Sequence, residues 1–220
     1  MQLIQDLMAE HALIDQVLGS LRAFVTLRRA GGGDLADAPR FMAFFRHYAG
    51  TFHHDKEELV LFKAFVEEAE LPGDRGPIKA MTADHQRLAE VLDRLEALLG
   101  APLETDADRD ALLAVAIEYS RPLWKHIDAE NSVVFPEGAE RLRRFFVKDL
   151  PSRPPTALEA EARDLGLALV QRYAPEADPD ALRGDGCIAC PNYGTTCDGL
   201  EHEWWTDLEW EEMWERGDSD

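Results

Sequence analysis

The stretch His53-His54-Asp55-Lys56-Glu57-Glu58-Leu59-Val60-Leu61-Phe62 places ligand-type side chains inside an otherwise apolar helical pattern. His53 and Glu57 are four residues apart, so on an α-helix they lie on one face, one turn apart. The same spacing returns in His126-Ile127-Asp128-Ala129-Glu130, and a phenylalanine follows each glutamate at five residues. A histidine and a glutamate placed in this way can bind one metal ion from a single helix, and imidazole with carboxylate suits iron or manganese.

An internal repeat extends this pattern to the whole N-terminal part of the chain. His11 and His85 are 74 residues apart, and His53 and His126 are 73 apart, as are Glu57 and Glu130. Two helical hairpins with the same polar insertions would pack together and bring six ligand-type side chains to one place. Burying these groups without a cation would be costly, so the repeat predicts a metal centre. The predicted ligands are His11, His53, Glu57, His85, His126 and Glu130.

The apolar periodicity predicts an all-α fold, an antiparallel up-down four-helix bundle over residues 1–150. Apolar residues recur at steps of three and four, Gly-Pro-Asp clusters separate the segments, and no run alternates as a strand does. Pro122 is expected to kink the fourth helix one turn before His126. The predicted helices cover residues 4–25, 39–70, 78–99 and about 106–146, and after a linker at 151–156 a short amphipathic helix covers 157–173.

Two registers are possible for the ligands of the second helix. His54 and Glu58 have the same four-residue spacing as His53 and Glu57, displaced by one position. The stripe that contains His53 is the more apolar, and the second copy of the motif matches it in the distance to the phenylalanine. We therefore favour His53 and Glu57, which leaves His54 and His47 beside the site or at the surface.

A second cluster of metal-binding side chains lies in the C-terminal tail, residues 151–220. Cys187, Cys190, Cys197 and His202 offer four ligands within a short span, which suits a tetrahedral structural zinc ion. An iron-sulfur cluster, a mononuclear iron site and a set of free thiols are the alternatives. The acidic, tryptophan-rich end of the tail (Trp204, Trp205, Trp210 and Trp214) is expected to pack on the bundle or on a protein partner.

Composition limits the partners and the location. The chain has 220 residues, with 43 Asp and Glu against 23 Lys and Arg, a formal charge of −20. Such a surface repels phosphate groups, so neither nucleic acid nor an anionic membrane is expected as a partner. The N-terminus does not have the pattern of a signal peptide, and no apolar run is long enough to cross a membrane. A cytoplasmic location is expected.

The segments Glu10-His11, His53 to Phe62, Asp84-His85 and His126 to Pro136 resemble the hemerythrin-like, HHE cation-binding family. The resemblance covers about residues 1–146 and implies a helical bundle with an oxo- or hydroxo-bridged pair of iron ions. It implies dioxygen binding, sensing, nitric oxide handling or repair of damaged iron centres. Oxygen-carrying members use five histidines and two carboxylates. The position of their additional histidine, one turn after the third-helix ligand, is Ala89 here, so the set of four His and two Glu more closely resembles the bacterial iron-centre repair proteins.

The leading functional hypothesis is a di-iron protein that binds or senses dioxygen or nitric oxide, or responds to iron and to oxidative or nitrosative stress. The alternatives are a di-iron enzyme (peroxidase, oxidase or nitric oxide reductase) and a metal-storage or scaffold bundle whose tail docks a partner. An alanine at position 89 would leave a coordination position open, as metal catalysis requires. The histidine that Ala89 replaces is therefore a reason to expect a function other than plain oxygen carriage.

Overall fold

Residues 1–184 are described by a computed structural model, and in this part of the chain all regular structure is helical. A short 3₁₀ turn, Leu35–Asp37, precedes the second of five helices. The all-α fold predicted from the sequence is thus confirmed for these residues. The helices are α1 (Gln2–Arg29), α2 (residues 38–67), α3 (Gly76–Leu99), α4 (residues 106–144) and α5 (Ala157–Arg172).

Local sequence signals explain where these helices begin and end. Thr105 and Thr156 each accept a hydrogen bond from the third residue of the helix that follows, α4 and α5, while an acidic side chain accepts one from the threonine N–H. These capping boxes satisfy backbone donors that otherwise have no partner at a helix start. Pro77 occupies the first turn of α3. After α1, Gly31 has a φ of 81°, a left-handed conformation that lets the chain turn away.

Two of the helices contain π-helical segments. In α2 the α-helical segments alternate with two π-helical segments: α-helix at Ala38–Ala43, His54–Lys56 and Lys63–Glu67, and π-helix at Phe44–His53 and Glu57–Phe62. In α4 one π-helical segment, Glu130–Val134, lies between the α-helical segments Asp106–Ala129 and Phe135–Arg144. A π-helix bonds residue i to i+5, so it has more residues per turn and separates successive side chains by a smaller angle. Adjacent residues can therefore both face the bundle interior. Pro122 lies inside the α-helical part of α4, which continues past it, and the kink remains a prediction.

The core consists of two apolar clusters with a polar layer between them. Every one of α1 to α4 contributes to both clusters, and the ligand-type residues lie at the point where each helix passes from one to the other. The order of the clusters along the chain alternates from one helix to the next. The large cluster contains Ile14 to Val25, Phe41 to Phe52, Leu88 to Leu99 and Leu112 to Ile127, and the small cluster contains Leu3 to Leu7, Leu61 to Leu71, Ile78, Met81 and Val134 to Leu142.

Helix α5 packs on α2 and adds to the large cluster. Its Gly166 allows a close approach, because a Cβ atom there would lie 2.4 Å from Phe44 Cδ2. The Tyr173 hydroxyl donates to the buried carboxylate of Asp37 at 2.5 Å. The boundary expected at residue 150 remains a prediction. In the part of the chain that the structure describes, no helix is long and apolar enough to cross a membrane.

Candidate metal centre

Four imidazole rings turn their Nε2 atoms toward one another in the polar layer. They belong to four different helices, and all four rings are buried: His11, His53, His85 and His126. The Nε2 atoms of His85 and His126 are 3.0 Å apart, and Nε2 of His11 is 3.2 Å from Glu130 Oε2. Nitrogen atoms converge in this way when they share a metal ion, since each neutral imidazole can direct a lone pair at the same point.

Two glutamates complete this layer and lie between the rings. Oε1 of Glu57 is 3.1 Å from Nε2 of His53, whereas its Oε2 is 3.5 Å from Nε2 of His85. Oε2 of Glu130 is 3.2 Å from Nε2 of both His11 and His126. Each carboxylate thus borders two sets of imidazoles, which is the placement required of a bridging ligand.

The carboxylates are fully buried and lack ordinary partners. Within residues 1–184, none of the four side-chain oxygens of Glu57 and Glu130 accepts a hydrogen bond. Their close neighbours are imidazole nitrogens at 3.1–3.6 Å, and two buried carboxylates without good hydrogen bonds are costly. The donor set fits a metal ion well, because a cation would satisfy these oxygens and the facing nitrogens together.

His54 joins the layer beside His53. Its ring stacks on that of His85 with centroids 3.8 Å apart and an interplanar angle of 10°. Ligand atoms of His54, Glu57, His85 and His126 lie within 4.8 Å of one another, as do those of His11, His53, Glu57 and Glu130. The two registers of α2 are therefore not exclusive. The first supplies His53, the second supplies His54, and Glu57 belongs to both groups.

The charges of this layer are strongly coupled. Burial lowers the pKa of His11, but the adjacent carboxylates of Glu130 and Glu57 outweigh burial and raise it to about 9. His126 is buried likewise, yet Glu130 and Asp84 raise its pKa to about 10. Burial alone would raise the pKa of Glu57, but the charge of His53 and its neighbours holds it well below the usual range. The layer therefore combines anionic carboxylates with strongly basic imidazoles, whose protons a metal ion would replace.

His54 differs from these rings in its charge state. Burial is the main cause that lowers the pKa of His54 well below its usual value, and the nearby charge of His85 lowers it further. A neutral imidazole is the form that binds a metal. His54 therefore reaches the layer already in its ligand form.

The outward-facing Nδ1 atoms have their own partners, arranged with the same internal repeat. Nδ1 of His11 pairs with Asn131 Oδ1 at 2.9 Å, and Nδ1 of His85 pairs with Glu58 Oε1 at 2.6 Å. Asn131 and Glu58 each follow a ligand-type glutamate. Such partners fix the tautomer and the orientation of a metal-binding ring.

The Nδ1 atoms of the other two rings, His53 and His126, each lie near an acidic side chain of a neighbouring helix. In that helix the acidic residue directly precedes a ligand-type histidine. Nδ1 of His53 is 2.9 Å from Glu10 Oε2, and Nδ1 of His126 is 3.7 Å from Asp84 Oδ2. Glu10 also forms an ion pair with Lys56, whose side chain is only 2% exposed. The repeat therefore includes the acids beside the rings as well as the rings themselves, with Glu10 in hydrogen-bond contact with His53 and Asp84 beyond hydrogen-bond distance of His126.

Aromatic side chains close the layer on the side of the small cluster. The ring of Phe135 lies parallel to that of His11 at a centroid distance of 5.4 Å, and Phe62 lies nearly parallel to His85 at 6.2 Å. These are the two phenylalanines that follow the duplicated motif. They exclude water from the small-cluster side of the polar layer.

Comparison with protein families agrees with this geometry. The family described as the Hemerythrin HHE cation binding domain matches residues 2–137. The chain belongs to this family. No curated protein and no solved structure gives a match to this hemerythrin-like chain. The resemblance seen in the sequence is confirmed at the level of the family, and members of the family bind metal ions.

The structure brings the six predicted ligands of this hemerythrin-like domain into one layer and adds His54. It places Glu58 outside both ligand groups, as the partner of His85. Sequence reasoning considered Glu58 only as a ligand of the alternative register and gave no role to Glu10, Asp84 and Asn131, although the recurrence of these four at 73 or 74 residues is a signal that could have found them. The predicted tail site (Cys187, Cys190, Cys197 and His202) and the tryptophans lie outside the described residues.

Proposed function

We propose that this hemerythrin-like chain is a non-haem di-iron protein that binds a small ligand such as dioxygen or nitric oxide. The observation that carries the proposal is the pair of buried carboxylates, Glu57 and Glu130, without hydrogen bonds among residues 1–184 and surrounded by imidazole nitrogens. The alternating order of the two apolar clusters along the chain supports an antiparallel up-down arrangement of α1 to α4.

The ligand groups suggest two metal positions. His11 and His53 would hold the first metal, and His54, His85 and His126 the second, with Glu57 and Glu130 shared between them. Bound iron would supply the site for the small ligand and the electrons that it requires. The protein would orient the imidazoles through their Nδ1 partners and hold the two carboxylates between the metal positions, while Phe62 and Phe135 exclude water on the side of the small cluster.

His54 changes the expectation attached to Ala89. With His54 included, the layer contains five imidazoles and two carboxylates, the composition that the family's oxygen carriers use. The fifth imidazole would come from α2 in this chain instead of from α3. The proposal therefore keeps reversible ligand binding as the leading role.

The first test is metal analysis of the wild-type protein loaded anaerobically with ferrous iron and then oxidised. We expect about two iron atoms per chain and near-ultraviolet absorption from an oxo bridge. Glu57→Ala should lose both metals, since Glu57 borders both groups. His47→Ala is the matched control, because His47 belongs to neither ligand group. Fewer than one iron atom per chain in the wild type would refute the proposal.

A second test separates the two positions. His53→Ala and His54→Ala should each keep about one metal per chain, because each removes a ligand from a different group. The measurement is iron content after gel filtration, with circular dichroism to verify that the variants remain helical. If His54→Ala keeps both irons as tightly as the wild type, His54 is not a ligand and only the His53 register is used.

A di-iron enzyme is the second candidate function, and one observation favours it. A cavity of about 530 Å³ reaches the His54, His85 and His126 group, which is more room than a diatomic ligand needs. Turnover of peroxide or nitric oxide by the iron-loaded protein would distinguish the enzyme from the carrier or sensor.

We also retain zinc binding by the cysteine tail as a proposal, to be tested by zinc content of Cys190→Ser.

A further inference from the structure

The cavity beside the polar layer is lined by residues of α1 to α4 and reaches both proposed metal positions. Its wall includes the imidazoles of both groups: His11, His53, His54, His85 and His126. Neither Glu57 nor Glu130 lines it. A molecule in the cavity would therefore meet the proposed metal centre from the side of the histidines.

Small residues on the two facing helices create this space. Ala49 and Gly50 on α2 and Ala89 on α3 line the cavity, and none extends beyond a Cβ atom. Thr51 and Gln86 are exposed and border the opening to solvent. Ala89 therefore matters for access as well as for coordination, because its short, exposed side chain leaves the entrance of the cavity open.

The inner wall of the cavity is apolar and partly aromatic. The rings of Phe45 and Tyr119 meet edge to face at a centroid distance of 5.2 Å. The apolar lining residues are all buried: Ile14, Phe45, Leu88, Leu92, Leu123 and Ile127. Polar atoms are thus concentrated at two ends, the imidazoles inside and the exposed residues at the mouth.

Volume and polarity together define the class of ligand. The cavity volume of about 530 Å³ compares with a share of about 30 Å³ for one water molecule in the liquid, and small-molecule sites commonly span about 300–1,000 Å³. We infer that the cavity binds a compact apolar organic molecule with one anionic oxygen donor, held with that oxygen toward the imidazoles of the polar layer. The inference rests on the proposed di-iron function, because the metal would bind the oxygen.

Two probes of different size test this inference on the full-length, iron-loaded ferric protein. Azide is small enough to reach the metal without filling the cavity, whereas phenol needs the apolar space and would bind as phenolate. Both probes produce charge-transfer absorption on ferric iron, so titration in the visible range gives an affinity for each. We expect both to bind, and acetate, which has the oxygen donor without an apolar body, should displace azide with at least about tenfold lower affinity than phenol does.

Variants at the entrance show whether the phenol occupies this cavity. Ala89→Phe should weaken phenol binding by about tenfold or more and change azide affinity by less than about threefold, because it narrows the mouth without touching a ligand. Glu90→Phe adds the same ring to an adjacent exposed residue that does not line the cavity, and it should change neither affinity. Thr51→Phe, on the opposite side of the mouth, should reproduce the effect of Ala89→Phe.

The outcomes separate the two proposals. Azide binding without any phenol absorption overturns the cavity inference and leaves the di-iron function intact. Phenol binding that neither Ala89→Phe nor Thr51→Phe weakens also overturns it, since the phenol must then reach the metal by another route. A protein that takes up no iron refutes the proposed function itself, and the cavity inference fails with it.

Discussion

Metal binding should release protons from the imidazoles of the centre, and the raised pKa values of these rings give the expected number of protons. In the metal-free protein the pKa of His11 is about 9 and that of His126 about 10, because the carboxylates beside them outweigh the effect of burial. Both rings are therefore protonated at pH 7. A metal binds only the neutral imidazole, so each ring must lose its proton when the centre fills.

The magnitude follows from these two groups. We expect at least about two protons per chain at pH 7 when both positions fill, one each from His11 and His126. The pKa of His53 is also raised, which can only add to this number. The combined affinity for two metals should then rise about 100-fold per pH unit between pH 7 and 8, and the rise should end above pH 10.

The assay is anaerobic titration of the metal-free protein with zinc, a redox-inert substitute for iron, in weak buffer with a pH indicator. His126→Ala should reduce the release by about one proton, because it removes one of the two protonated rings. His47→Ala is the control and should leave the release at saturating zinc unchanged, since His47 belongs to neither ligand group. Release of less than one proton by the wild type would refute the assigned charge states.

Two further predictions concern orientation and packing. Asp84→Asn should weaken metal binding about 10- to 100-fold in chelator competition, because Asp84 orients His126, and an unchanged affinity would show that the 3.7 Å contact has no such role. Gly138→Ala should lower the free energy of unfolding by about 1–3 kcal/mol in urea titration, because its Cβ would lie 2.0 Å from Phe65 Cζ. Gly100→Ala, which has open space, should leave stability nearly unchanged, and equal effects of the two changes would contradict the packing argument.

The sequence predicted α1 and α3 well because both are regular α-helices throughout. In α3 the stripe that contains Met81, His85, Leu88 and Leu92 lies on one face of a helix with 3.6 residues per turn, and the structure buries all four. The position of each ligand relative to the core could therefore be read from spacing alone.

In α2 the α-helical period was not enough to choose between His53 and His54, because π-helical segments adjoin these residues on both sides. An α-helical period forces a choice between His53 and His54, since adjacent side chains differ by about 100°. The π-helical segments on either side reduce that angle, and both rings face the polar layer. No local feature of the sequence marks these segments, because a π-helix depends on the packing of the whole bundle.

The partners of the Nδ1 atoms could not be assigned from one helix at a time. Glu10 directly precedes His11 but pairs with His53 on α2, and Asp84 directly precedes His85 but lies near His126 on α4. Their side chains cross to neighbouring helices, so only the tertiary packing identifies which ring each acid serves. The repeat distance was visible in the sequence, whereas the pairing was not.

The polar layer that divides the core also bears on how cooperatively this chain unfolds. Each of α1 to α4 passes through two apolar clusters, and in the metal-free protein the layer between them contains buried carboxylates and protonated rings instead of continuous apolar contact. The small cluster, with fewer apolar residues, can then open while the large cluster stays folded. A bound metal pair would tie all four helices together at the crossing point, so hydrogen exchange near Leu7, Phe62 and Phe135 would slow more on metal binding than exchange near Leu95 and Leu112.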